Sequence, residues 1–194
     1  MKDLQGIVWL VASLWVVRIA DMILPWDLNT LGLVPRTLDG LIGIPLMPWL
    51  HGGWGHLLSN TVPLCILLLL LMSSRTDYLP ILVCLIVFGG GLLWCFGREA
   101  VHVGASGLVY GLVAFLIASG FMERKLISMA IALLVGFLYG TTLFFGVLPT
   151  AGPNVSWDGH LFGALGGVLA ALAFTRKNAP AEVSLSEAKD RDFA

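Results

Sequence analysis

Two side chains that serine hydrolases use, a hydroxyl and an imidazole, stand in separate apolar stretches of this sequence. Ser106 lies in GASGLVYG, and His160 opens the stretch GHLFGALGG. A serine hydroxyl is a weak nucleophile until a neighbouring base takes its proton, and histidine is the commonest such base. No aspartate lies within an apolar stretch beside His160, because Asp158, two residues before it, is expected at the water edge. Either motif alone is more typical of helix packing or of a helix end, but together they predict a Ser–His dyad rather than a triad.

A second polar group lies in the segment HGGWGHLLSN, which begins at His51. His56 and Asn60 are four residues apart, so a helix places both on one side. Polar and ionisable groups within membrane helices mark function by default. Side-chain donors, together with the free N–H groups where a helix begins, are suited to hold a developing oxyanion. We therefore predict an oxyanion site formed by His56, Asn60 and the backbone around Gly104.

Small residues recur every four positions after both catalytic candidates. On a helix this spacing forms one stripe, along which two backbones can approach closely in lipid. The stripes are Gly107 and Gly111 after Ser106, and Gly163 and Gly167 after His160. If the two helices pack along these stripes, the hydroxyl and the imidazole come within reach of each other.

The composition places these motifs in a membrane. Of the 194 residues, 58% are hydrophobic and only 12% are charged, and the mean hydropathy is +0.91. Soluble domains carry about 25% charged residues, because their surface faces water. A net charge of −1 provides no basic surface, so nucleic acid is not expected as a partner. The chain is therefore predicted to be an all-α integral membrane protein surrounded by the lipid bilayer.

Six apolar stretches are long enough to cross a bilayer as helices. They are residues 7–24, 57–72, 79–96, 106–121, 126–148 and 160–174. The first has no small-x-small cleavage site before Pro25, so we expect a retained helix rather than a signal peptide. Residues 25–56 are too apolar for a solvated loop, yet their prolines and glycines break any span. They predict a long first loop partly embedded in the membrane, and an interfacial loop without a special role is the alternative.

Positive charge is distributed unevenly between the two sides of the predicted bundle. Cytoplasmic loops of membrane proteins are enriched in Lys and Arg. The side of the termini carries Lys2, Arg75, Arg124, Lys125, Arg176, Lys177, Lys189 and Arg191, and the opposite loops carry Arg36 and Arg98. Both termini are thus predicted to be cytoplasmic in a bacterial inner membrane, with the active site opening to the periplasmic side. We divide the chain into a transmembrane domain, residues 1–175, and a disordered cytoplasmic tail, residues 176–194.

Neither a metal, a cofactor nor a disulfide is expected. Cys65, Cys84 and Cys95 lie in apolar runs without a CxxC pair, and we interpret them as packing residues. The sequence contains no HExxH motif of a zinc protease and no GxGD motif of an intramembrane aspartyl protease. A membrane transporter is the alternative from a different class, but no inverted repeat is apparent.

The three motifs, in this order, resemble the rhomboid family of intramembrane serine proteases. The resemblance covers residues 51–167. It is carried by HxxxxHxxxN, which contains His51, His56 and Asn60, by GASG with Tyr110 four residues after the serine, and by GHxxGxxxG from Gly159 to Gly167. It implies a compact bacterial-type bundle of six helices.

The resemblance also implies roles for the residues. Ser106 would be the nucleophile, His160 the general base and Tyr110 a ring stacked on His160, with single-pass transmembrane proteins as substrates. A substrate helix must unwind before its peptide bond is attacked, so it should carry Gly, Pro or polar residues near its outer end. Many relatives have Trp-Arg in the first loop where this chain has Ile42 and Gly43, so the anchoring of that loop is not predicted. A non-catalytic relative that only binds membrane helices, and an enzyme specialised for sorting tails, are the alternatives within the family.

Overall fold

The computed structural model describes residues 2–151 and 155–176, and within them the predicted bundle of six long helices is present. The helices are α1 (Lys2–Ile23), α2 (Trp54–Ser74), α3 (Tyr78–Phe96), α4 (Ser106–Glu123), α5 (Leu126–Gly146) and α6 (Trp157–Arg176). Each is long and apolar enough to cross a membrane. The chain is therefore an integral membrane protein with an all-α fold.

The central helix is α4, which begins with Ser106. Its spanning segment is 61% buried inside the bundle, compared with 11% for α1 and for α5. The helix ends where Arg124 adopts a left-handed conformation, φ 53°, and the chain turns directly into α5. Ser106 thus begins an enclosed helix, whereas α5 presents most of its surface to the surroundings.

Glycines bring α6 against α4, as the stripes in the sequence predict. A Cβ atom added to Gly163 or Gly167 would clash with the carbonyl oxygen of Gly107 or Gly111, respectively. On its other side, α6 meets α3, where a Cβ atom at Gly166 would lie 2.6 Å from the backbone nitrogen of Gly89. We call the α4–α6 contact the glycine seam and define it by Gly107, Gly111, Gly163 and Gly167.

The first loop connects α1 to α2 through a series of short turns. These are three 3₁₀ turns, Leu28–Leu31, Asp39–Ile42 and Met47–Trp49, and one turn of α-helix, Gly43–Leu46. Apolar side chains point outward from the loop, and Leu38 is 84% exposed. An apolar loop surface of this kind is suited to the membrane interface, in keeping with the predicted partly embedded loop. We call the end of the bundle that carries this first loop the loop end.

Contacts with α3 and with the α3–α4 connection anchor the first loop without a Trp-Arg pair. Leu33 forms an antiparallel bridge with His102. The backbone N–H of Arg36 donates to the carbonyl of Trp94, and its guanidinium donates to the carbonyl of Gly97. Gly43, which stands where many relatives carry a larger residue, packs so closely on Leu33 that any side chain would clash. The loop is thus held mainly by main-chain hydrogen bonds and close backbone packing.

The opposite end of the bundle contains a buried ion-pair cluster. Arg75 donates to both carboxylate oxygens of Asp77 at 2.9 Å and pairs with the buried carboxylate of Glu123. These hydrogen bonds and charges from Arg75 lower the pKa of Asp77 below its usual value. The cluster ties the α2–α3 connection to the end of α4.

The three cysteines are free, but Cys95 is exposed, so its interpretation as a packing residue is wrong. A helix side that faces lipid is as apolar as one that faces the core, so an apolar run does not distinguish the two. The predicted disordered tail lies outside the described residues, apart from Arg176 at the end of α6.

Candidate active site at the loop end

A tight backbone turn delivers Ser106 to the start of α4. Gly104 has φ +114°, a conformation that side chains disfavour, and its N–H donates to the carbonyl of Met47 at 2.9 Å. A Cβ atom at Gly104 would lie 2.5 Å from Cε1 of His56. Glycine is therefore required here both for the turn and for the approach of His56 to the backbone just before Ser106.

His160 is held in one orientation on the first turn of α6. Its ring stacks on Tyr110 with a centroid separation of 4.1 Å and an interplanar angle of 6°. Its Nδ1 lies 2.9 Å from the carbonyl oxygen of Gly146, at the end of α5. Because a carbonyl oxygen only accepts, Nδ1 carries a proton, and in the neutral form of the ring Nε2 is then free to act as a base.

The stacking partner connects His160 with the nucleophile. Tyr110 lies one turn after Ser106 on α4, so the ring of His160 covers the same face of that helix. The Tyr110 hydroxyl donates to the carbonyl of Thr142 at 2.9 Å, which fixes the tyrosine in turn. In residues 2–151 and 155–176 no hydrogen bond joins Ser106 to His160, and catalytic hydrogen bonds often tighten only when substrate binds.

Asn60 supplies a free donor beside the turn at Gly104. Its side chain is 5% exposed, and its Nδ2 is buried without a hydrogen-bond partner among the described residues. A Cβ atom at Gly104 would lie 3.5 Å from this nitrogen, so the amide is close to the backbone that leads into Ser106. An unpaired buried N–H destabilises the fold, so its presence in a native protein indicates a functional role for the donor. This donor is suited to an incoming oxyanion.

His51 supports the same turn from the first loop. Its Nδ1 is 3.2 Å from the carbonyl of Trp49, and its Nε2 accepts the N–H of Ala105 at 3.4 Å. Burial, with a smaller contribution from the neighbouring His56, lowers the pKa of His51 to about 4. The ring is thus neutral at physiological pH, and its two nitrogens act as one donor and one acceptor.

Sequence reasoning missed several groups at this site. The carbonyls of Thr142 and Gly146 hold Tyr110 and His160, yet a carbonyl belongs to every residue and leaves no signal in the sequence. His102, one of four histidines in the chain, was not predicted to have a role, and it is buried two residues before Gly104.

The expected place of Asp158 is wrong. Its side chain is not at a water edge but 1% exposed, because it pairs with the guanidinium of Arg98 at 3.1 Å. The hydrogen bonds and ion pairs of Asp158 go to Arg98, Ser156 and His102, so within the described part of the chain this carboxylate does not orient His160.

Comparison with known proteins identifies the family. A family model of the Rhomboid domain matches residues 40–177, well over half of the chain. The chain belongs to the rhomboid family. This is the family of intramembrane serine proteases that the motifs resemble, and the match extends from the first loop to the end of α6.

Curated proteins that are similar to this chain include uncharacterized proteins of mycobacteria. Uncharacterized proteins of Mycobacterium bovis and Mycobacterium tuberculosis are each 37% identical over 170 residues, which cover 83% of this rhomboid and 70% of the relative. An uncharacterized protein of Mycobacterium leprae is 36% identical over 169 residues, covering 82% of this chain and 66% of the relative. No solved structure matches the chain significantly.

Proposed function

We propose that this rhomboid is an intramembrane serine endopeptidase that hydrolyses peptide bonds in or near the transmembrane segments of membrane proteins. Ser106 is the nucleophile and His160 is the general base. The observation that carries the proposal is the fixed orientation of the His160 imidazole. Stacking on Tyr110 places the ring over the face of α4 that begins with Ser106, and the bond from Nδ1 to the Gly146 carbonyl leaves Nε2 of the neutral tautomer available as a base.

The chemistry follows from these positions. Ser106 Oγ attacks the scissile carbonyl while His160 Nε2 takes the hydroxyl proton, which it then gives to the leaving amine. The negative oxygen of the tetrahedral intermediate is held by Asn60 Nδ2, His56 and backbone N–H groups at the start of α4. Water then attacks the acyl-enzyme, with His160 taking its proton, and the new carboxyl terminus leaves as Ser106 is regenerated.

The substrates proposed are single-pass membrane proteins. A transmembrane helix shields its peptide bonds, so the segment has to unwind before Ser106 can reach a carbonyl. Segments with Gly, Pro or polar residues near the site unwind most easily. The distribution of Lys and Arg supports cytoplasmic termini and a loop end that faces the periplasm of a bacterial inner membrane, where water is available for hydrolysis.

Labelling with a serine-directed fluorophosphonate tests this function directly. The wild-type protein in detergent should be labelled and should cleave a fluorescent single-span reporter, whereas Ser106→Ala and His160→Ala should do neither while remaining folded. Ser73→Ala serves as the matched control, because this exposed serine lies at the opposite end of the bundle. Full cleavage by purified Ser106→Ala or His160→Ala would refute the assignment.

A further inference from the structure

A polar cluster with two buried members lies next to the Ser106–His160 pair, and no step of the proposed mechanism uses it. We call it the His102 cluster. Its members are Arg98, His102, Ser156 and Asp158. His102 is 2% exposed and Asp158 is 1% exposed, whereas Ser156 is partly buried and Arg98 reaches the surface.

The imidazole of His102 joins two distant segments of the chain. Its Nδ1 is 2.7 Å from Ser156 Oγ, and its Nε2 is 3.2 Å from the carbonyl oxygen of Arg98. Because the carbonyl only accepts, Nε2 carries a proton and donates to it. Asp158 completes the cluster, since it accepts the backbone N–H of Arg98 at 2.9 Å and lies 3.7 Å from Nε2 of His102.

Ser156 connects the cluster to the start of α6. Its Oγ accepts the N–H of Gly159 at 3.3 Å, which is the N-cap arrangement. Its carbonyl accepts the N–H of His160 at 3.0 Å, closing the first helical turn. The residue that caps α6 is therefore itself bonded to His102.

The main chain of His102 connects the cluster to the other half of the site. Its N–H and C=O pair with Leu33 of the first loop at 2.9 and 3.0 Å. Two residues further on lies Gly104, whose left-handed turn leads into Ser106. The chain is too short there to absorb a displacement of His102 without moving the turn.

We propose that His102 is a positioning residue for the reaction. Through the other members of its cluster, His102 fixes the first turn of α6 relative to the turn that precedes Ser106. It fixes both the rotation of α6 about the helix axis and its position along that axis. It thereby sets the approach of His160 to the nucleophile. This inference rests on the proposed function, because it assigns a role in the same reaction.

The glycine seam alone does not define this approach. Contacts between glycine backbones are short but carry few directional bonds, so they limit the separation of the two helices more than their rotation. Hydrogen bonds are directional, and a histidine, a capping serine and a carboxylate specify one orientation. A misplacement of about 1 Å at a catalytic group can lower the rate about 10²-fold.

Two substitutions at His102 separate positioning from bulk. His102→Leu replaces the imidazole by an apolar side chain of similar size, whereas His102→Asn keeps a polar atom near the position of Nδ1 and can still bond Ser156. In proteoliposomes with a fluorescent single-span reporter, His102→Leu should lower kcat about 10- to 10²-fold, with KM changed less than about threefold. The rate of fluorophosphonate labelling should fall in parallel, and His102→Asn should recover most of both losses.

A matched pair of carboxylate variants controls for stability. Asp158→Asn changes a buried carboxylate at the loop end into an amide, and Glu123→Gln does the same at the opposite end. In wild type each of these carboxylates pairs with an arginine. We expect about a tenfold lower kcat for Asp158→Asn, and for Glu123→Gln a lower Tm with kcat unchanged. If His102→Leu does not yield folded protein, Asp158→Asn carries the same test.

Hydrogen exchange at the start of α6 gives a readout that does not depend on activity. The amides of Gly159 and His160 should exchange faster in His102→Leu than in wild type. Any of four results would overturn the inference. For His102→Leu these are a wild-type kcat, a change in KM alone, or unchanged hydrogen exchange at the start of α6. For the two carboxylate variants it is an equal loss of kcat. A wild-type protein that neither cleaves nor is labelled would refute the proposed function instead, and exchange would still decide whether His102 holds α6.

Discussion

The α6 helix meets its neighbours in two regions that differ in chemistry. At the glycine seam, backbone lies directly against backbone, and a single added carbon at Gly163 or Gly167 would clash. At the His102 cluster, the start of the same helix is held by hydrogen bonds and by an ion pair between the buried Asp158 and the half-exposed Arg98.

The difference shows what each contact can supply in a membrane. Lipid provides no hydrophobic drive for helix association, so close packing of small residues has to hold the two helices together. A polar cluster adds orientation, because its bonds are satisfied in only one arrangement. Substitutions that add side-chain atoms at the glycine seam should therefore separate α4 from α6. At the polar contacts, substitutions that replace a hydrogen-bonding group should disturb the orientation of α6.

The largest expected effect comes from adding atoms to the seam. Gly163→Val places a branched side chain against the carbonyl of Gly107, so it should separate α4 from α6. We expect turnover to fall more than about 10²-fold and the Tm to fall with it. Leu169→Val is the control, because Leu169 is 44% exposed and lies off the seam. Full activity of Gly163→Val would show that the dyad does not depend on this contact.

An intermediate effect is expected at the oxyanion site, where activity and stability should separate. Asn60→Ala and His56→Ala should each lower turnover up to about 10²-fold, since backbone donors remain at the start of α4. Asn60→Ala also removes the buried unpaired Nδ2, so the Tm should stay the same or rise.

The neighbouring Thr61 provides the control for that separation. Thr61→Ala loses the hydrogen bond from Trp15, 3.2 Å long, and should lower the Tm without lowering turnover. Reporter cleavage and thermal unfolding in detergent measure both quantities. Undiminished turnover in the double variant His56→Ala, Asn60→Ala would make both residues structural.

The smallest effect is a pH dependence of stability from His51. Its pKa is about 4 in the fold and about 6.5 in an unfolded chain, so unfolding takes up a proton between these values. The stabilisation is complete above pH 6.5 and is lost as the pH falls from 6.5 to about 4. His51→Gln should flatten this part of the Tm-against-pH curve, whereas an unchanged slope would place the titration at other groups.

Much of the candidate site could be predicted because it depends on spacing along single helices. Residues four apart share one side of a helix, which relates His56 to Asn60 and places the glycines of the seam in stripes. The partners that lie across loops could not be predicted in this way. The bond from His160 to the Gly146 carbonyl spans 14 residues, and the bond from His102 to Ser156 spans 54.

Asp158 illustrates why proximity in sequence was misleading. The rule that charges near a helix end lie in water predicts exposure, and it fails because Arg98 arrives from the α3–α4 connection to pair with this carboxylate. A buried charge is tolerated when a partner and hydrogen bonds compensate for lost hydration. Neither the partner nor the burial is a local property.

The sequence by itself determined the membrane class, the six helices, the side of each helix that carries the polar groups and the small residues, and the family. These properties follow from composition and from the regular geometry of a single helix, which needs no tertiary contact. Only the tertiary structure decided that Gly166 on the other side of α6 meets α3, how the first loop is anchored without a Trp-Arg pair, and that His102 and Asp158 connect the starts of α4 and α6. Those facts depend on the relative placement of segments far apart in the chain, where satisfying buried polar groups selects one arrangement.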